Sequence, residues 1–170
     1  MKSKGIAIAL LAATAAIGYS STSFAEICYG VDGSLTTENV TDSVQIGDIN
    51  LTLSDASGSQ VFSDAGSLVG NITGANTTGA TFLYHQARFP QGNSFRTEGD
   101  VAQIVGPPLA FEENGTPCAF PIVEKITEIS KGTGMFKNVT RINVTAQGTV
   151  SACSFNNENS FELVGELCVE

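Results

Sequence analysis

The sequence predicts one all-β domain, and three observations carry that prediction. After the first 25 residues no segment shows helical periodicity. Thr, Val, Ile, Phe, Asn and Gly dominate, and turn-forming clusters recur every ten or so residues. Apolar and polar side chains alternate with period two, most plainly near the C-terminus. The four cysteines, Cys28, Cys118, Cys153 and Cys168, are an even set without the short C-x₂₋₄-C spacing of a zinc site.

The first 25 residues read as a cleavable export signal. Lys2 and Lys4 precede an apolar run from Gly5 to Gly18, and Ser23-Phe24-Ala25 offers small residues for cleavage. The run breaks at Tyr19–Ser23, short of the roughly 20 apolar residues that span a bilayer. Cleavage after Ala25 would start the mature chain at Glu26, without a membrane span, in the periplasm or outside the cell. Export makes two disulfides the expected state of the cysteines. The alanine-rich style of the signal is bacterial in composition.

Residues 26–170 suffice for one core. Lys2 and Lys4 leave with the signal, so six of the eight basic residues remain against 17 acidic ones, a balance of −11. Such a field repels nucleic acid, whose binding depends on cations neutralising phosphates, and equally an anionic membrane surface. Solubility is its plainer meaning.

Taken in order, residues 26–43 are expected to be an irregular N-terminal segment and 44–170 the folded domain. Strands are expected over Val44–Leu53, Ser67–Ile72, Ala80–Phe89, Asn93–Val105 and Phe120–Ile129, with loops at Asp55–Ser59 and Asn71–Gly79. Ile142, Val144, Ala146 and Val150 then alternate with Arg141, Asn143, Gln147 and Thr149. After the turn at Ser154–Asn159, Phe161, Leu163, Leu167 and Val169 oppose Glu162, Glu166 and Glu170. Gly165 falls on the buried parity and marks a bend or a close backbone approach. Periodicity alone leaves a closed meander and a sandwich both open. Asn-x-Thr triplets begin at Asn39, Asn50, Asn71, Asn76, Asn114, Asn138 and Asn143. A chain this rich in Asn and Thr forms such triplets by chance, and a bacterial-style signal speaks against glycans.

Three segments carry a family resemblance: Glu98-Gly99-Asp100, then Gly106-Pro107-Pro108-Leu109-Ala110-Phe111-Glu112-Glu113, then Lys131-Gly132-Thr133-Gly134-Met135-Phe136. In order and spacing, across roughly residues 80–168, they resemble the allene oxide cyclase barrels, to which the dirigent proteins are related. The resemblance implies a closed eight-stranded antiparallel barrel whose lumen can hold an apolar molecule. It implies a structural turn in which Gly132 and Gly134 permit tight backbone and Phe136 plugs the barrel end. The family's further glycine after the aromatic is missing, with Asn138–Thr140 in its region. Residues 26–79 match no family motif, so no catalytic residue is carried over.

Candidate chemistry is sparse. His85 is the single imidazole, on one parity with Leu83, Ala87 and Phe89. It is therefore either a buried structural histidine or the best acid/base candidate, facing the lumen. Leu83, His85 and Phe89 are the candidate ligand-lining residues. Glu124 and Glu128 run in phase with Phe120, Ile122 and Ile126; one of them either points into the apolar interior with a raised pKa or sheds into water at a strand end. Asp100 is expected to hold backbone amides at a strand end, with a catalytic role as the alternative. No nucleophile elbow, metal motif or cofactor motif is present, so no metal and no cofactor is expected.

Counting outward from a hairpin midpoint near Gly134 or Met135 brings Cys118 opposite Ser151–Cys153. In an even, closed, up-and-down barrel the first and last strands are neighbours, which pairs Cys28 with Cys168. The expected function is an exported barrel binding a small apolar molecule in its lumen, or a role on an extracellular surface. The alternative is an isomerase or cyclase of oxylipin-like substrates, or dirigent-like steering of a radical coupling. Homo-oligomerisation is left open.

Overall fold

Period-two alternation becomes eleven strands in the computed structural model, which describes residues 25–170. They are β1 (Ile27–Thr41), β2 (Val44–Ser54), β3 (Gln60–Ala75), β4 (Thr81–Arg88), β5 (Ser94–Thr97), β6 (Asp100–Ile104), β7 (Ala110–Phe111), β8 (Pro117–Ile126), β9 (Ile129–Thr133), β10 (Val139–Ser151) and β11 (Glu158–Val169). The expected targeting segment lies outside the described residues, apart from Ala25. No helix among those residues is long and apolar enough to cross a membrane.

The strands form a closed antiparallel barrel, not a sandwich. Hydrogen bonding runs β3-β2-β1-β11-β10-β8-β6-β4, and β4 returns to β3. Two staves are interrupted. β4 pairs with β5 through Gln86–Arg96 and with β6 through Leu83–Asp100, so β5 and β6 are one stave broken at Glu98–Gly99. Gly99 takes a φ of +67°, a conformation that favours glycine. β8 and β9 form a second broken stave, pairing β6 and β5 respectively. Two segments expected as single strands, Asn93–Val105 and Phe120–Ile129, are thus kinked rather than continuous.

Residues 26–43 are not irregular. β1 pairs along nearly its whole length with β11 on one side and β2 on the other. The sequence hides it because several inward positions are small or polar. Val31 and Leu35 are buried, but Thr37 is too, and Gly33 lies against the Asn50 carbonyl where a Cβ would come within 2.4 Å. Ladder hydrogen bonds on both edges hold a strand whose side chains alone do not announce one.

β3 is likewise longer than Ser67–Ile72 and runs through Ala75, so most of the expected Asn71–Gly79 loop is strand. Gly66 and Gly70 take inward positions along it. A Cβ at Gly66 would lie 2.7 Å from the Phe89 ring, and one at Gly70 would lie 3.2 Å from the His85 ring. The glycines weaken the strand signal because the larger rings of Phe89 and His85 occupy their space.

Both disulfides pair as counted: Cys118–Cys153 with Cα atoms 4.8 Å apart, and Cys28–Cys168 at 4.0 Å. Cys28 and Cys168 are direct register partners of the first and last strands. Ala119 faces Ser151, which sets Cys118 and Cys153 side by side at the other end of the barrel. Gly165 approaches the Asn143 carbonyl closely enough that a Cβ would sit 2.1 Å from it.

An aromatic plug seals the end near the chain termini. Phe136 is 1% exposed, stacks on Phe89 at 5.7 Å, and meets Phe62 and Phe95 edge-on at 5.5 and 5.0 Å. Gly134 has a φ of +59°, and a Cβ at Gly132 would strike the Phe136 carbonyl at 1.8 Å. Above the plug, Ile49, Leu53, Val144, Leu163 and Leu167 fill the lumen.

Candidate functional site: a buried imidazole between two carboxyls

Three neighbouring staves deliver the site. β4 presents His85 inward, in phase with Leu83, Ala87 and Phe89, all four buried. β8 presents Glu124 between Ile122 and Ile126, while Glu128, beyond the end of β8, is exposed. β6 opens on Asp100, which is fully buried. Of the expected lumen-lining residues, His85 meets the carboxyls, Leu83 lies toward the open end of the barrel, and Phe89 belongs to the plug.

His85 Nδ1 lies 3.0 Å from Asp100 Oδ2 and donates to it. Thr97 Oγ1 donates to the same oxygen. The backbone N–H of His85 in turn donates to Thr97 Oγ1 at 2.7 Å, closing a ring of hydrogen bonds that fixes the imidazole. Glu124 Oε1 stands 3.4 Å from His85 Nδ1, close enough for charge but not as a hydrogen bond. Glu124 Oε1 and Asp100 Oδ1 are buried without a hydrogen-bond partner. Asp100 thus holds an imidazole and a threonine hydroxyl rather than strand-end amides.

Electrostatics follow from this packing. Burial raises the Glu124 pKa to about 7; repulsion from Asp100 adds to the rise, and attraction to His85 opposes it. Burial alone would lower the His85 pKa, but the Glu124 charge, then the hydrogen bond and charge of Asp100, outweigh it, and the net shift is upward. The cluster therefore holds protons near neutral pH, where an isolated glutamate would hold none. His85, Asp100 and Glu124 also offer three ligand atoms within 4.8 Å of one another. One imidazole and two carboxyls are a donor set suited to a divalent cation. The sequence shows no metal motif because these donors come from three strands.

Glu124 also forms the floor of a cavity of about 190 Å³ at the end opposite the plug. Its walls are mainly apolar, with Ile72, Leu83, Phe120, Ile122 and Phe161, and Gln45 is a polar exception. On the plug side of His85 only about 40 Å³ of apolar space remains. The lumen is thus packed through most of its depth and open at one mouth. Exposed Ile104, which lines the cavity at the end of β6, and Val105 directly after it give that mouth an apolar rim.

A second polar network braces the mouth and had no sequence signal. Asn159 is fully buried; its Nδ2 donates to Thr37 Oγ1 and Asn39 Oδ1 at 3.1 Å, and its Oδ1 accepts from the Ser151 amide at 2.9 Å. Asn39 Nδ2 donates to the Ser151 carbonyl and to Asn157. These asparagines read in the sequence as turn formers or triplet members; only the closure of β1 on β11 gives them partners.

A closed eight-stranded barrel with a buried imidazole–carboxyl cluster beneath a small apolar mouth is the class that fold and site define. No protein-family model, curated protein or solved structure matches the chain.

Proposed function

We propose that this protein is an exported barrel, similar to the allene oxide cyclase and dirigent barrels, that binds a small, largely apolar molecule at its open mouth. The mouth cavity is the observation that carries this reading. At about 190 Å³ it is comparable to the engineered apolar cavity of roughly 150 Å³ that takes up benzene. It therefore suits a ligand, or a ligand head, about one ring in size; the chain of an oxylipin would extend past the rim. The apolar rim residues would contact such an extension, and Glu124 or Gln45 would meet one polar group of the ligand. Export is supported by the two disulfides, which persist in oxidising compartments.

Titration with ring-sized fluorescent apolar probes tests the reading. Saturable binding is expected, and Ala102→Leu, which fills part of the cavity wall, should abolish it while the barrel stays folded. Probes that bind the variant equally well, or do not bind at all, would remove the binder reading.

One observation favours a second reading, catalysis of an isomerisation or cyclisation. A carboxyl with a pKa of about 7 at the cavity floor is matched to proton transfer at neutral pH. Glu124 would exchange a proton with the bound molecule, and His85, held by Asp100, would stabilise the resulting charge. Glu124→Gln should then keep probe binding and lose turnover. Unchanged turnover of a converted compound in that variant would rule this chemistry out.

A further inference from the structure

The described residues hold six basic side chains among 17 acidic ones, yet four of the six meet in one place. Arg88 of β4, Arg96 of β5, Lys131 of β9 and Lys137 of the following turn line a groove of about 730 Å³ on the side of the barrel. No aspartate or glutamate lines it. Its remaining polar surface consists of amide and hydroxyl groups: Gln86, Ser94, Ser130 and Thr133.

Register makes this clustering costly. Arg96 and Lys131 are direct partners across β5 and β9, and Arg88 sits diagonally from Arg96, since Gln86 pairs Arg96 and Arg88 pairs Ser94. Like charges directly opposite on neighbouring strands destabilise a sheet. Only one carboxylate, Glu98, offsets it. Among the described residues, Arg88, Lys131 and Lys137 form no ion pair. Only Arg96 has a partner: Glu98 accepts from its Nε at 2.9 Å, and the guanidinium lies 4.0 Å over the Tyr84 ring. Both contacts hold the Arg96 plane in place and leave its Nη groups for a ligand. A hydroxyl pair, Ser94 Oγ to Thr133 Oγ1 at 2.8 Å, lies alongside.

We propose that this groove is a binding site for a compact anion carrying two or more phosphate, sulfate or carboxylate groups. Four neighbouring cations, three of them without an ion-pair partner, are what such a ligand would neutralise, and guanidinium and hydroxyl groups suit its oxygens. The acidic remainder of the surface selects for compactness. A long polyanion would run onto the acidic faces, whereas a small one stays within a groove of ordinary small-molecule size. The site is separate from the mouth cavity, and its failure would leave that reading untouched.

Calorimetric titration of the mature protein at low ionic strength, with inorganic pyrophosphate in one arm and citrate in the other, tests the proposal. At least one anion should bind, weaken as salt is added and raise the melting temperature. Tighter pyrophosphate assigns a phosphate- or sulfate-bearing ligand; tighter citrate assigns a carboxylate-bearing one. The triple variant Arg88→Gln, Lys131→Gln, Lys137→Gln should lose at least about ten-fold in affinity, the equivalent of one charge-assisted contact. Lys125→Gln, outside the groove, should match the parent. Without ligand, Lys131→Gln should melt higher than the parent, because the repulsion from Arg96 is relieved. No binding of either anion at millimolar concentration, or equal binding by the triple variant, overturns the proposal.

Discussion

Glu124 sets the pH behaviour of this protein at the scale of single residues. Its folded pKa of about 7 exceeds the ordinary 4.5, so a proton bound in the native state is released on unfolding between those values. Stability is therefore highest below about pH 4.5 as far as this group is concerned, and falls as pH rises to 7. His85, also raised, acts in the same direction, losing its contribution as pH climbs through its folded pKa. The Glu124 contribution is about 3 kcal/mol by linkage. Glu124→Gln is expected to flatten the profile and stabilise the protein at pH 8 relative to pH 5, which urea unfolding at the two pH values measures. A profile as steep as the parent's would mean that Glu124 titrates normally. Because His85 is the single histidine, its NMR titration needs no assignment. Its pKa should fall in both Asp100→Asn and Glu124→Gln, since each removes one of the interactions that raise it.

Among elements, the turn between β9 and β10 does the most to shape the barrel end. Gly132 and Gly134 let the chain fold tightly enough to drop Phe136 among Phe62, Phe89 and Phe95. Phe136→Ala should cost about 3–5 kcal/mol, the usual range for a buried aromatic. Its chemical-denaturation midpoint reports the loss, while probe binding at the distant mouth should persist once the variant is folded. A loss below 1 kcal/mol would mean that the plug is dispensable. Elements were legible in the sequence where large apolar residues mark the inward parity, as in β4, β10 and β11. They were illegible in β1 and the first half of β3, where Gly33, Thr37 and Gly66 face inward. The glycines leave space that a neighbouring strand or ring occupies, Thr37 accepts a hydrogen bond from the distant Asn159, and no local pattern carries that information.

At the scale of the whole molecule the two disulfides brace opposite ends. Cys28 and Cys168 are 140 residues apart in sequence, Cys118 and Cys153 only 35. In the chain-entropy model the longer loop constrains the unfolded chain more, by about 1 kcal/mol for this fourfold ratio. The Cys28→Ser/Cys168→Ser variant should therefore unfold at lower denaturant than Cys118→Ser/Cys153→Ser. The reverse order would place the greater stabilisation at the mouth, through the loops that Cys153 anchors.

By itself the sequence determined the β class, the faces of the clearest strands and the inward position of His85, because period-two alternation is a local property of the chain. It also determined the cysteine pairing, because counting outward from one hairpin midpoint sets Cys118 by Cys153, and an even, closed, up-and-down barrel makes the strands of Cys28 and Cys168 neighbours. Closure decided the rest. Asp100 was read as a strand-end cap, and Glu124 could not be separated from Glu128, until β4, β6 and β8 became neighbours and brought both carboxyls to one imidazole. The same closure gathered Arg88, Arg96, Lys131 and Lys137 from separate segments into one groove. Which residues meet across a barrel depends on stave order and register, and those are fixed by pairings between distant strands, not by the composition of any one of them.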